Sequence, residues 1–393
     1  MPKYTVLRDL AQRSTRSPDA GVLEDAGAGF PSEPAVDIAE LTRAEVRDLS
    51  RDQEVRAIAP VMPTQLIEPF AAEAADQAVA GNVTWGVTAV GADTSTRTGA
   101  GVVVAVLDTG IDRTHTAFTG VQLVEEDFSG SGVGDKQGHG THCAGTIFGR
   151  DVNGLRIGVA RGVTKALIGK VLDDNGHGDS DMIFRGIQWA AQNGAQVISM
   201  SLGFNFPGMV KTLIGQGLPA EPATSTALEA YRSNLRMFDS LMAMIRSREP
   251  FGGGTVVCAA AGNESKRAST PAFEIAAGLP AAADDVVAIG ALGQSAAGFV
   301  VAPFSNTFPV VSAPGVAVRS AKLGGGLVDL NGTSMATPHV AGVTALWWEE
   351  VLASPIPASA RTVTSKLLAT AVTAGLAPGG DVADRGLGLV KAP

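Results

Sequence analysis

Residues 102–108 read VVVAVLD, an unbroken apolar run, mostly β-branched, that ends on a carboxylate. β-branched residues favour an extended backbone, and a run without polar alternation fits a strand covered on both faces, as in a parallel sheet. Runs of similar character follow at residues 166–172 (ALIGKVL), 197–200 (VISM), 255–259 (TVVCA) and 286–289 (VVAI). Helical patterns fall between them, notably residues 180–192 (SDMIFRGIQWAAQ). This alternation predicts an α/β protein: a doubly wound, mostly parallel sheet with helices on both faces, whose ligands gather beyond the carboxyl ends of the strands. Residues 204–254 separate two core strands by about fifty residues, long for a single crossover. Within this insertion, residues 223–247 carry an apolar stripe of Leu228, Leu235, Phe238, Leu241, Met242 and Ile245, expected as a packing helix. Residues 206–222 are expected as the loop leading to it.

With 393 residues, 48 glycines and 45% apolar content, the chain can bury one large core and a smaller unit. A formal charge of -9 without a basic patch argues against nucleic acid or an anionic membrane as a partner. Cys143 (HCAG) and Cys258 (VVCAAAG) sit among small or apolar residues and are expected as buried thiols. The opening residues, MPKYTVLRDLAQRSTRS, lack the apolar core of a secretion signal. No run approaches the roughly 18 apolar residues of a membrane span. On these grounds a cytoplasmic protein is expected, with secretion as the alternative.

Four polar side chains stand where the pattern places ligands. Asp108 closes the first strand in VLDTGID. His139 lies in GHGTHCAGT, between glycines that permit close approach and ahead of a helical pattern. Asn263 follows the 255–259 strand in AAAGNES, and Ser334 opens a helix in NGTSMATPHVAGVTAL. Each alone has a bland reading, as a solvated strand end, a structural histidine or a helix cap. Together they supply what acyl transfer requires: a hydroxyl, a base to deprotonate it, a carboxylate to fix the imidazole, and a donor for developing negative charge.

With VLDTGID, GHGTHCAG, AAAGNE and NGTSMATPHVAG in this order, the sequence resembles the subtilase family of serine endopeptidases. The resemblance implies that Asp108 orients the imidazole and His139 is general base and then acid. Ser334 would be the nucleophile, with its backbone N–H and the Asn263 amide forming the oxyanion hole. His142 and His339 would pack behind the site, and His115 and His177 are expected as exposed loop residues. By the same resemblance, peptide or protein substrates add as a strand between residues 174–178, including Gly176, His177 and Gly178, and the segment Ser201, Leu202, Gly203. The primary pocket would be lined by Ala261, Gly262, Glu264, Gly278 and Leu279, favouring an apolar residue before the scissile bond, with Glu264 able to attract a basic one. No cofactor is implied for catalysis, and no metal ligand is assigned. Calcium is a stabilising ion in many subtilases, but a position that would carry an aspartate is Ala117 here, and the partner loop reads RDVNGLRIG.

Residues 1–80 differ in character from the rest. Residues 42–50 (TRAEVRDLS) show a capping-box pattern, and residues 54–61 alternate like a half-buried strand, with residues 3–7 as a possible partner. Residues 14–34 read as irregular and 63–81 as an exposed linker. LTRAEVRDLSRDQEVRAIAP resembles the inhibitory propeptide of the family, and VTWGVTAVGA (83–92) resembles the start of a mature subtilase. The expectation is therefore a zymogen: a propeptide-like domain and linker over 1–80, a catalytic domain over 81–393, and self-cleavage between about residues 65 and 81. The 204–254 insertion is expected to restrict the cleft. The alternatives are a catalytically silent peptide-binding protein and a peptide-transferring variant.

Overall fold

Successive side chains of residues 103–107 enter two separate cores in turn, and this alternation organises the molecule. The structure, a computed structural model, describes residues 1–11, 32–71 and 81–393. Its amino-terminal unit is an antiparallel sheet of β1 (Lys3–Asp9), β2 (Pro34–Glu40) and β3 (Val55–Pro60), with β1 central and helix α1 (Arg43–Leu49) ahead of β3. The Thr42 hydroxyl accepts from Glu45 N at 3.3 Å, and the Glu45 carboxylate accepts from Thr42 N at 2.7 Å, closing the capping box. β1 pairs with β3 as the alternation predicts, while β2 adds a strand that the sequence pattern left unassigned. The irregular stretch expected at 14–34 lies almost wholly outside the described residues.

The larger unit is built on β6 (Val103–Asp108), β7 (Gln122–Asp127), β8 (Lys165–Lys170), β10 (Val197–Met200), β12 (Val256–Ala260), β13 (Val286–Ser295), β14 (Gly298–Val301) and β15 (Val311–Pro314). Their order is β14-β13-β12-β10-β6-β8-β7, with β15 beside β13, and only the β13–β14 pair is antiparallel. On one face, Val104, Val106, Ile168 and Cys258 pack with helices α2 (His139–Phe148) and α6 (Thr333–Leu352). On the other, Ala105, Leu107, Leu167 and Val257 pack with helices α3 (Ser180–Gln192) and α5 (Ala220–Ser247). A strand that must supply both cores has no place for polar alternation, which is why its sequence reads as one apolar run.

The insertion is more ordered than expected. Residues 206–222, read as a loop, contain helix α4 (Phe206–Gly215), because Pro207 in the first helical turn starts a helix instead of breaking one. α5 packs through Phe238, whose ring lies 4.5 Å from Phe184 and 5.7 Å from Phe204 between centroids. The amino-terminal sheet lies on α3 and α5: Leu7 and Ala59 share their core, Val36 N donates to Gln188 Oε1 at 2.9 Å, and Asn234 Nδ2 donates to the Pro60 carbonyl at 2.8 Å.

The linker expected at 63–81 is also corrected where it is described. Residues 63–66 form β4 (Pro63–Leu66), inserted between β9 (His177–Asp179) and β11 (Leu202–Phe204), and β5 (Phe70–Ala71) pairs with β16 (Leu327–Asn331). Residues 72–80 of that expected linker lie outside the described residues. Because Phe238 is fully buried among two rings and the apolar stripe of α5, Phe238→Ala is expected to cost about 3–5 kcal/mol. Urea unfolding checks this, through a lower midpoint at unchanged slope.

Candidate active site

Asp108 leaves the carboxyl end of β6 and His139 begins α2, so the sheet brings strand end and helix start together. His139 Nδ1 lies 2.8 Å from Asp108 Oδ1, which also accepts from Thr109 N at 2.8 Å. The approach requires glycine at 140: a Cβ there would lie 2.2 Å from the Gly110 carbonyl oxygen. Asp135 fixes the turn before the helix, accepting from Gly138 N, from Thr141 N and from the hydroxyls of Thr109 and Thr141. Burial opposes protonation of His139, but the Asp108 charge beside it, with the Cys143 contact, outweighs burial and raises the imidazole well above its ordinary value. His139 Nε2 is buried and has no hydrogen-bond partner among the described residues.

Ser334 stands in the first turn of α6, fully buried, and its Oγ donates to the Ile67 carbonyl at 2.9 Å. Ser201 Oγ and Cys143 Sγ both approach the Ser334 carbonyl oxygen, at 3.2 and 3.5 Å. Asn263 is oriented by Thr333, whose N–H and hydroxyl both donate to Asn263 Oδ1 at 2.9 Å. With its oxygen held there, the amide turns Nδ2 toward the cleft, where it donates to the Glu68 carbonyl at 3.0 Å. Thr333 was not singled out from sequence, although it adjoins Ser334 in the motif.

The remaining histidines divide differently from expectation. His142 and His339 are buried, and burial pushes them down to about 3 and about 4, so both are neutral packing groups. His177 is exposed as expected. His115 is not: it is buried, with Nε2 2.8 Å from the Gly326 carbonyl and Nδ1 accepting from Ala117 N, partners that local sequence does not announce. Both cysteines are buried free thiols, and burial pushes Cys258 up to about 12.

The cleft holds the chain's own residues 63–71. Leu66 N donates to the Gly176 carbonyl at 2.8 Å, Thr64 and Gln65 face Gly178 and His177, and Gln65 and Leu66 face Gly203 and Leu202. Ile67 and Gln65 line a cavity of about 400 Å³ together with Ala261, Gly262, Glu264, Gly278 and Leu279. The Glu264 carboxylate is engaged by Asn306 Nδ2 at 2.6 Å, and Tyr231 Oη accepts from Leu279 N at 3.0 Å, fixing the far wall. Buried Lys170 braces the opposite edge, its Nζ donating to the Thr109 carbonyl at 2.6 Å and lying 3.0 Å from Asp174. Lys170 and Tyr231 sit in apolar or insertion segments, where sequence gave no signal of a site role.

A hydroxyl against a peptide carbonyl in a water-poor groove, with a carboxylate-bound imidazole at the same strand ends, suits acyl transfer from peptides. The class is that of the serine endopeptidases. The model of the subtilase family of peptidases matches residues 99–389, and the chain belongs to that family. It is similar to subtilisin DY of Bacillus licheniformis, 36% identical over 279 residues that cover 70% of this chain and 86% of that protein. A thermostable alkaline protease of Halalkalibacterium halodurans is 31% identical over 344 residues, covering 86% of this chain and 77% of that one. Among solved structures, fervidolysin of Fervidobacterium pennivorans, a keratinolytic enzyme related to subtilisin, shares the fold with a TM-score of 0.67 at 22% identity. The match covers 99% of this chain, which spans 60% of the fervidolysin chain.

These relatives support peptides or proteins as substrates, and subtilisins need no cofactor for catalysis. They also overturn one expectation: subtilisins are secreted extracellular proteases, so the cytoplasmic placement drawn from the first residues does not stand. Among the described residues no helix is long and apolar enough to cross a membrane.

Proposed function

We propose that this serine endopeptidase is made as a zymogen whose first substrate is its own Ile67–Glu68 bond. The observation that carries this reading is the Ile67 carbonyl oxygen, 2.9 Å from Ser334 Oγ and one residue beyond β4, a strand paired on both sides. In the reaction Ser334 Oγ attacks the Ile67 carbonyl carbon while His139 Nε2 takes its proton and Asp108 holds the ring. The Asn263 amide, which donates to the Glu68 carbonyl in the uncut chain, turns to the Ile67 oxyanion and stabilises it together with the Ser334 N–H. His139 then protonates the Glu68 nitrogen as the C–N bond breaks, and water, deprotonated by the same imidazole, releases the Ile67 carboxylate. The β4 pairing keeps the cut end in the cleft, so residues 1–67 act as an inhibitor of the catalytic domain, which begins at Glu68 after the cut. Purified wild type is expected to yield a new amino terminus at Glu68 by mass spectrometry, while Ser334→Ala stays whole. An uncut wild type, or identical cutting of both, overturns the reading.

Because the neutral imidazole is the base, processing rises with pH through the His139 value, which is raised in the uncut chain. The sign is that of a raised histidine: the stabilisation gained from its charged form is complete below about 6.5 and is lost as pH rises through the higher folded value. The acid limb of the self-cleavage rate is thus expected above pH 6.5. Asp108→Asn should move it down and slow the step by about 10⁴-fold, measured by single-turnover cleavage across pH.

The residues around Ala117 do not fit a calcium ion. Arg150 donates to the carbonyls of Phe148, Arg161 and Val163, and buried Arg156 to those of Ala92, Gly158 and Val159, so guanidinium groups already use these oxygens. Chelation is expected to leave Tm within about 2 °C, and calorimetry with EDTA showing a fall of several degrees would contradict this.

A further inference from the structure

The insertion meets the side chain of the bound segment at Asn205, which links β11 to α4. Asn205 Oδ1 accepts from Gly208 N at 2.8 Å, capping α4, and Asn205 Nδ2 donates to Gln65 Oε1 at 2.6 Å. A helix amino terminus offers only donors, so the cap takes the oxygen of the amide and leaves its NH₂ turned toward the peptide. Asn205 N also donates to the Pro63 carbonyl at 3.1 Å, which ties the residue to the peptide backbone. Gln65 is the third residue before the proposed scissile bond. Its neighbours Thr64 and Leu66 are buried, whereas Gln65 is only half-buried and alternates to the other side of the strand.

We propose that Asn205, oriented by the helix it caps, selects substrates with a hydrogen-bond-accepting side chain at the third residue before the cut. This rests on the reading of Ile67–Glu68 as the cleaved bond. Glutamine and glutamate meet the Asn205 NH₂ with an oxygen. Methionine, of similar length, offers only a weak acceptor, and lysine meets a donor with a donor. The insertion thereby adds a polar criterion to a cleft that otherwise recognises backbone.

The test uses the processed enzyme and the peptides Pro-Thr-Xaa-Leu-Ile-Glu-Pro with glutamine, glutamate, methionine or lysine at Xaa. The glutamine and glutamate peptides are expected to exceed methionine by about five- to tenfold in kcat/KM, with lysine lowest. Asn205→Ala should bring the glutamine-to-methionine ratio to about one. Asn205→Asp retains a capping oxygen, protecting the fold, and should turn the preference toward lysine. Equal rates for glutamine and methionine in wild type overturn the proposal, as does a ratio that survives Asn205→Ala or an Asn205→Asp enzyme that still disfavours lysine. Hydrolysis of none of the four would instead remove the reading of the cleaved bond, and this proposal with it.

Discussion

Holding a carboxylate in dry surroundings at the end of a strand is the constraint on which the site depends. Asp108 is 1% exposed, and an ion stripped of water costs several kcal/mol unless other groups replace the solvent. His139 and the Thr109 N–H do so directly. The next layer is also polar: Thr109 donates to Asp135, and Lys170, aligned with Asp108 across the β6–β8 pair, donates to the Thr109 and Gly134 carbonyls. Buried charges of both signs are thus gathered at the ends of two adjacent strands and joined through Thr109, whose N–H donates to Asp108, whose hydroxyl donates to Asp135 and whose carbonyl accepts from Lys170. Loosening one member would expose the rest to an unpaired state.

The fold was legible wherever local sequence carried the physics. Strands buried on two faces must be apolar throughout, so β6, β8, β10, β12 and β13 announced themselves, and the capping box of α1 needed only Thr42 and Glu45. The polar groups at Asp108, His139, Asn263 and Ser334 were legible because each adjoins such an element.

What escaped depended on partners far along the chain. His115 looked like an exposed loop residue because Gly326, which buries it, lies 211 residues away. Residues 63–66 looked like a linker because proline and polar residues suit one, and nothing local shows that β9 and β11 will flank them. Residues 206–222 read as a loop, whereas Pro207 and Gly208 sit in the first turn of α4 behind the Asn205 cap. Lys170 reads as an interruption of an apolar strand until its carbonyl partners are seen.

β9 and β11 are only three residues each, and both run directly into helical structure, β9 into α3 and β11 through Asn205 into α4. Without β4 between them they would present bare backbone edges, the kind of surface that draws molecules into unwanted sheets. Their shortness limits that hazard, since a neighbouring sheet could gain few hydrogen bonds before meeting a helix. It also makes the groove a gauge of extension: a chain must surrender its own folded structure over a span like residues 63–70 before its backbone can be held. Resistance of a folded protein to this groove is then set by the free energy of locally unravelling that span.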